Sequence, residues 1–284
     1  MNMRLGQRMS EWASQFLGYL ILLSGAVVIL IPFAWMISTS LKQKVAIYVF
    51  PPKWIPDPIM WVNYKQALTV FPFELYTWNS LQIVFFVMIG TLFSCSFASY
   101  GFSRLRAPGR DFIFLILLST MMLPAAVTMV PLYLFFNNLN WIDSFLPLIV
   151  PSFFGSAFFI FLMRQFYLGI PREIEDAANI DGCNAYSTYL RIMLPLTKPV
   201  LATIAVFTFI GTWNDFMGPL IYLTSEEKRT IALGLSYFQG SGRSTPELHL
   251  LMAATIYSII PCVLLFFFSQ KLFVKGLVFT GVKG

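Results

Sequence analysis

Residues 80–102 read SLQIVFFVMIGTLFSCSFASYGF, 23 consecutive positions without a charged side chain. A helix of about 20 apolar residues covers the roughly 30 Å hydrocarbon core of a bilayer. Working outward, stretches of the same kind occur at 16–41, 112–136, 145–163, 199–225 and 250–269, the stretch 199–225 being interrupted only by Asp215. The six occupy 140 of the 284 residues, about half the chain. In lipid each backbone N–H and C=O must be satisfied inside its own segment, which selects the helix. Soluble core helices rarely reach this length, and six in one chain argue against that alternative. Composition agrees, with 57% hydrophobic and only 11% charged residues, where a soluble domain carries about 25% charged. The expectation is an all-α membrane protein of six transmembrane helices, residues 1–284 forming a single membrane domain.

The run 16–41 is too long for the apolar region of a signal peptide and ends without a small-residue cleavage site, so it is read as a retained helix. Lys and Arg in the connecting segments set orientation. With the N-terminus inside, segments 1–15, 103–111, 164–198 and 270–284 hold 12 basic residues in 74 positions. The outer segments 42–79, 137–144 and 226–249 hold 7 in 70. The asymmetry predicts that both termini are cytoplasmic, and Arg104, Arg106 and Arg110 in one short loop weigh most. The net charge of +6 is thereby read as a topology signal rather than a nucleic-acid patch. No cysteine falls in an outer segment, so Cys95, Cys183 and Cys262 are read as small packing residues and not as a disulfide framework. The outer loop rich in Pro and aromatics, with Trp54, Trp61, Tyr64 and Trp78, suits the headgroup interface. The prolines inside the runs, among them Pro124 and Pro131, predict kinks.

Residues 164–198 read RQFYLGIPREIEDAANIDGCNAYSTYLRIMLPLTKP. Pro171 suits the first position of a helix, and Glu173, Glu175 and Asp176 follow where negative charge complements the helix dipole. Ile174, Ala177 and Ala178 recur at i, i+3, i+4 and predict a narrow apolar face of small residues. Gly182 supplies a C-terminal stop, and Asn184 a cap for a second short helix running to Pro195. A helix lying on lipid carries Lys or Arg on its polar face and bulky apolar residues opposite. This one carries carboxylates and alanines, which an anionic leaflet repels. A protein partner is the better reading.

The segment resembles the loop signature of ABC importer permeases: Glu-Ala-Ala, two residues, Asp-Gly, then a hydrophobic run closing on Leu-Pro. Here it stands as Asp176-Ala177-Ala178, Asn179, Ile180, Asp181-Gly182, then Ile192 and Leu194-Pro195. The continuation LPLTKP, the sequence WNDF at 213–216 and the terminal GLVFTGVKG are similar to the maltose-type carbohydrate uptake branch. Two positions depart from the pattern. Asp176 replaces the opening glutamate, keeping the charge with one methylene less reach, and Cys183 stands where a small residue is usual. The resemblance implies the type I ABC importer permease fold and a position in the inner (cytoplasmic) membrane. It implies partners as well: a second permease subunit, an ABC ATPase dimer and an extracytoplasmic sugar-binding protein. It further implies that the loop is a coupling helix seated in the ATPase. Glu175, Asp176 and Asp181 would pair with that partner, Ala177 and Ala178 would pack in its cleft, and Gly182 would permit the turn. The tail with Lys283 and Gly284 would contact the ATPase pair; its alternative is a frayed basic end.

Asp215, preceded by Trp213 and Asn214, is the only charge within its run. Intramembrane carboxylates usually face a bundle interior or a water path. Either the three line the translocation route, or Asp215 cross-links neighbouring helices. The outer loop 226–249 suits a binding-protein contact or a plain flexible loop. His249 is the sole histidine, and neither a metal-ligand cluster nor a G-x-x-x-x-G-K-[ST] phosphate loop is present. The chain is therefore expected not to be an enzyme and to hold no cofactor, ATP and Mg belonging to partner ATPase subunits. An ion-coupled secondary carrier, or an ABC importer of a non-sugar solute, are the alternatives; the carrier is disfavoured by a single intramembrane acid.

Overall fold

The computed structural model describes the backbone of residues 2–240 and 246–278, and side chains at residue 12 and across 15–240 and 246–270. Among the described residues all regular structure is helical. The chain divides into two compact units, residues 1–71 with 237–258, and residues 72–236 with 259–284.

In the first unit α1 (Asn2–Ser40) is a 39-residue helix containing Pro32; none of its most apolar window is buried, whereas Ser38, Thr39 and Ser40 at its end are. Asn63, in α2 (Val62–Thr69), donates to the carbonyls of Ser40 and Lys42, each at 2.8 Å, and so closes the C-terminus of α1. Trp54 meets Trp35 edge-on, with ring centroids 5.0 Å apart, while Phe50, Ile55 and Trp61 of the same loop stay exposed.

The second unit is built around α3 (Phe73–Arg104). The apolar run read at 80–102 extends outward at both ends, because Glu74 suits the positive N-terminal end of the helix and Arg104 its negative end. The run 112–136 is not one straight helix. It forms α4 (Arg110–Ser119) with a short 3-10 turn, then α5 (Ala125–Asn138), bent by 100° at Leu123–Pro124. The residue before a proline is pushed out of the helical region, and Leu123 has ψ 117°. The run 145–163 comprises α6 (Leu146–Ile149), a 3-10 turn and α7 (Ala157–Leu168). Gly155 separates the turn from α7 at φ +87°, a value other residues rarely adopt.

After α8 (Glu173–Ile180) and α9 (Ala185–Thr188), a π-helical turn over Tyr189–Met193 leads into α10 (Leu194–Leu196). The chain then bends by 74° into α11 (Lys198–Trp213). The run 199–225 breaks at Asn214–Phe216 before α12 (Met217–Tyr222). Then follow α13 (Ile231–Ser236) and α14 (Leu248–Val278). Four segments among the described residues, 15–40, 73–104, 146–168 and 248–270, are long and apolar enough to cross a membrane, or up to six if each of the two bent pairs, 110–138 and 185–213, is one span. Tyr100, Met163, Tyr167, Tyr189, Met193, Val200 and Ile204 form a buried core where α3, α7, the π-turn and α11 meet.

Candidate functional site

The segment after α7 folds as its local chemistry dictates, with one shift. Pro171 lies outside the helix, two residues before Glu173 opens α8, instead of at the first helical position. At the other end Gly182 stands at φ +81°. Its N–H donates to the Asn179 carbonyl at 3.1 Å and that of Cys183 to the Ala178 carbonyl at 2.9 Å. Both bonds together form a Schellman stop, for which glycine is the natural residue. The Asn184 side chain accepts from the Ser187 N–H at 2.8 Å, capping α9 as its position predicts. Tyr189 then anchors the π-turn in the core, its hydroxyl 2.8 Å from Ser96 on α3.

Burial divides the expected face of α8. Ala178 is only 3% exposed and packs inside the chain. Glu175 also turns inward. Its carboxylate lies 3.5 Å from Arg104 at the end of α3, with the two side chains 17% and 3% exposed. Burial holds the Glu175 carboxyl above its ordinary pKa, against the pull of Arg104. Asp176, Ala177, Ile180 and Asp181 face outward, and Ile180 is 87% exposed. The helix thus has a back fastened to its own chain and a front of two carboxylates, an alanine and an isoleucine.

Trp213, Asn214 and Asp215 part company. Trp213 is buried and stacks on Phe209 with centroids 5.6 Å apart. The Asn214 amide donates to the Ile210 carbonyl at 2.8 Å. Asp215 lies in the helix break, where its Oδ1 accepts from the Gly218 N–H at 3.1 Å and caps α12. A Cβ on Gly218 would meet that carboxylate and Leu148, so the bare backbone is what admits the cap. The carboxylate also borders a cavity of about 190 Å³ lined by Ser80, Ile83, Leu148, Thr212, Pro219 and Thr230. It therefore serves as a structural cap and as a cavity wall at once.

Two groups escape a reading of the sequence alone. Arg104 registers there only as a loop charge. Asp143, at φ +56°, accepts from the N–H groups of Thr224 (3.0 Å) and Ser225 (2.9 Å), from the Ser225 hydroxyl and from Lys228 (3.0 Å). These donors, the Ser225 hydroxyl foremost, hold its carboxyl well below the usual carboxylate range. Lys283 and Gly284 lie outside the described residues, as do residues 241–245 of the loop 226–249. Among the described residues no group of three or more His, Cys, Asp or Glu is placed to hold a metal ion.

Comparison with known proteins shows the family. Residues 90–278 match the family described as binding-protein-dependent transport system inner membrane component. The arabinooligosaccharides transport system permease protein AraQ of Bacillus subtilis is 37% identical over 206 residues, 72% of each chain. The probable ABC transporter permease protein YurM of the same organism is 32% identical over 97% of this chain and 88% of its own. The sn-glycerol-3-phosphate transport system permease protein UgpE of Yersinia enterocolitica is 30% identical over 92% and 94%. Among solved structures, a bacterial ABC transporter involved in the import of the acidic polysaccharide alginate superposes with a TM-score of 0.79 at 25% identity, covering 92% of this chain and 97% of that one. A helical chain with several membrane-length segments, one short carboxylate-fronted helix and this family match is a multi-pass transport component and not an enzyme: it belongs to the family of binding-protein-dependent transport system inner membrane components, the permeases of ABC importers.

Proposed function

We propose that this chain is a permease subunit of an ATP-driven importer of a sugar or sugar derivative, and that α8 is the helix through which a cytosolic ATPase moves it. One observation carries the coupling role. Glu175 and Ala178 fasten the back of α8 to its own chain, while Asp176, Ala177, Ile180 and Asp181 stand exposed beside a capped, glycine-terminated end. An apolar side chain ringed by carboxylates is repelled by an anionic leaflet and suits a cleft with basic walls. In this reading the chain lies in the cell (inner) membrane with both termini cytoplasmic. It pairs with a second permease, binds an ABC ATPase dimer that carries ATP and Mg, and receives solute from an extracytoplasmic sugar-binding protein. Relatives named for arabinooligosaccharides, sn-glycerol-3-phosphate and sulfoquinovosyl glycerol support a polyhydroxylated substrate. Photo-cross-linking tests the seat. Benzoylphenylalanine at Ile180 is expected to capture an ATPase subunit in native membranes, and the same group at Val45, also exposed, is not. Capture at neither position, or labelling of Ile180 from outside the cell, rejects the proposal.

A further inference from the structure

Beside the buried Ala178, the back of α8 meets the guanidinium of Arg104 through Glu175. Arg104 is the last residue of α3, and its side chain is 3% exposed. One Nη donates to the carbonyls of Tyr167 and, at 2.6 Å, Ile170, while Nε faces Glu175 at 3.5 Å. Tyr167 lies in the last turn of α7 and Ile170 just beyond it, where helix carbonyls lack intrahelical partners and carry partial negative charge. Glu175 lies in the first turn of α8. The arrangement is reciprocated: Arg164 on α7 donates to the Phe102 carbonyl near the end of α3 at 3.2 Å and lies over the Phe114 ring. Three helix ends therefore converge on Arg104, and two arginines bind the ends of α3 and α7 to each other.

Resting on the coupling reading above, we propose that Arg104 is a positioning residue that makes α8 and the ends of α3 and α7 one moving body. A push on the exposed front of α8 then reaches the membrane helices without being absorbed in the 169–172 connection. The planar fork matters: it reaches the two carbonyls and the carboxylate together, and a lysine ammonium cannot hold the same three acceptors in one geometry. Glu175 is the one acceptor of the three on α8 itself; without it Arg104 still holds the connection ahead of α8 through the Ile170 carbonyl.

The test uses the purified importer with its ATPase, and needs no transported solute. A cysteine at Thr212, on the wall of the polar cavity, reports accessibility through its rate of labelling by a membrane-impermeant maleimide, with and without ATP–vanadate trapping. The parent complex is expected to change its labelling rate at least fivefold on trapping. R104Q is expected to trap nucleotide normally yet change by less than twofold, R104K and E175Q to fall between. Full response in R104Q overturns the inference and leaves the coupling reading standing. Absence of response in the parent overturns that reading, and the inference with it. If R104Q fails to assemble, a full response in E175Q and R104K reduces Arg104 to a folding residue and equally overturns the inference.

Discussion

Glu175 and Asp143 are carboxylates of the same compact unit, each fastening one segment to another, and their surroundings drive them in opposite directions. Glu175 is largely removed from water, and burial outweighs the pull of Arg104 and Arg172, so its pKa rises. Asp143 is more accessible and is met by two backbone N–H groups, a hydroxyl and an ammonium, so donors win and its pKa falls. The number of donors, more than the presence of a cation, decides the sign. A buried pair of this kind contributes little net stability while both partners are present, but much is lost when one is removed. The α8 seat is thus brittle where the Asp143 clasp is graded.

The largest effect expected from breaking this contrast is at Arg104. R104A leaves two helix-end carbonyls and a buried carboxylate without their partner, which costs about 3–5 kcal/mol. The midpoint of thermal loss of the monodisperse chromatographic peak in detergent would report it. D143N keeps the shape and one acceptor, loses the charge-assisted bonds, and costs about 1–3 kcal/mol by the same measurement. Asn184→Ala removes one N-cap and costs about 1 kcal/mol. Hydrogen exchange at the Ser187 amide should rise while the α3 core stays protected.

Opposite pH responses sharpen the contrast. The depressed pKa of Asp143 means that its stabilisation is present above the ordinary value near 4 and is lost as pH falls towards the folded value. The raised pKa of Glu175 means the reverse: its contribution is present below the ordinary carboxylate value and is lost as pH rises through the folded one. Amide exchange corrected for intrinsic pH dependence should therefore rise at Thr224 and Ser225 on acidification and fall over residues 173–178. Parallel responses at the two sites would refute the assignment of causes.

The length of the apolar runs was enough to read an all-helical membrane chain, because backbone satisfaction in lipid leaves few options and that constraint is local. Gly182 and Asn184 were legible as stop and cap for the same reason: each acts on N–H and C=O groups within a few residues. Pro124 was legible as a kink, though not as a 100° bend. What no local pattern states is which face of α8 is already occupied. Ala177 and Ala178 are adjacent alanines, yet the first is exposed and the second buried. Nor does it state that Arg104, 71 positions before Glu175, ends α3 where α7 ends and α8 begins. Those outcomes depend on residues brought together from distant parts of the chain. Sequence alone determined the helical class, the Gly182 stop and the Asn184 cap, since these follow from short-range hydrogen bonding and solvent. The tertiary structure decided burial, partners and pKa direction, since these follow from what stands opposite.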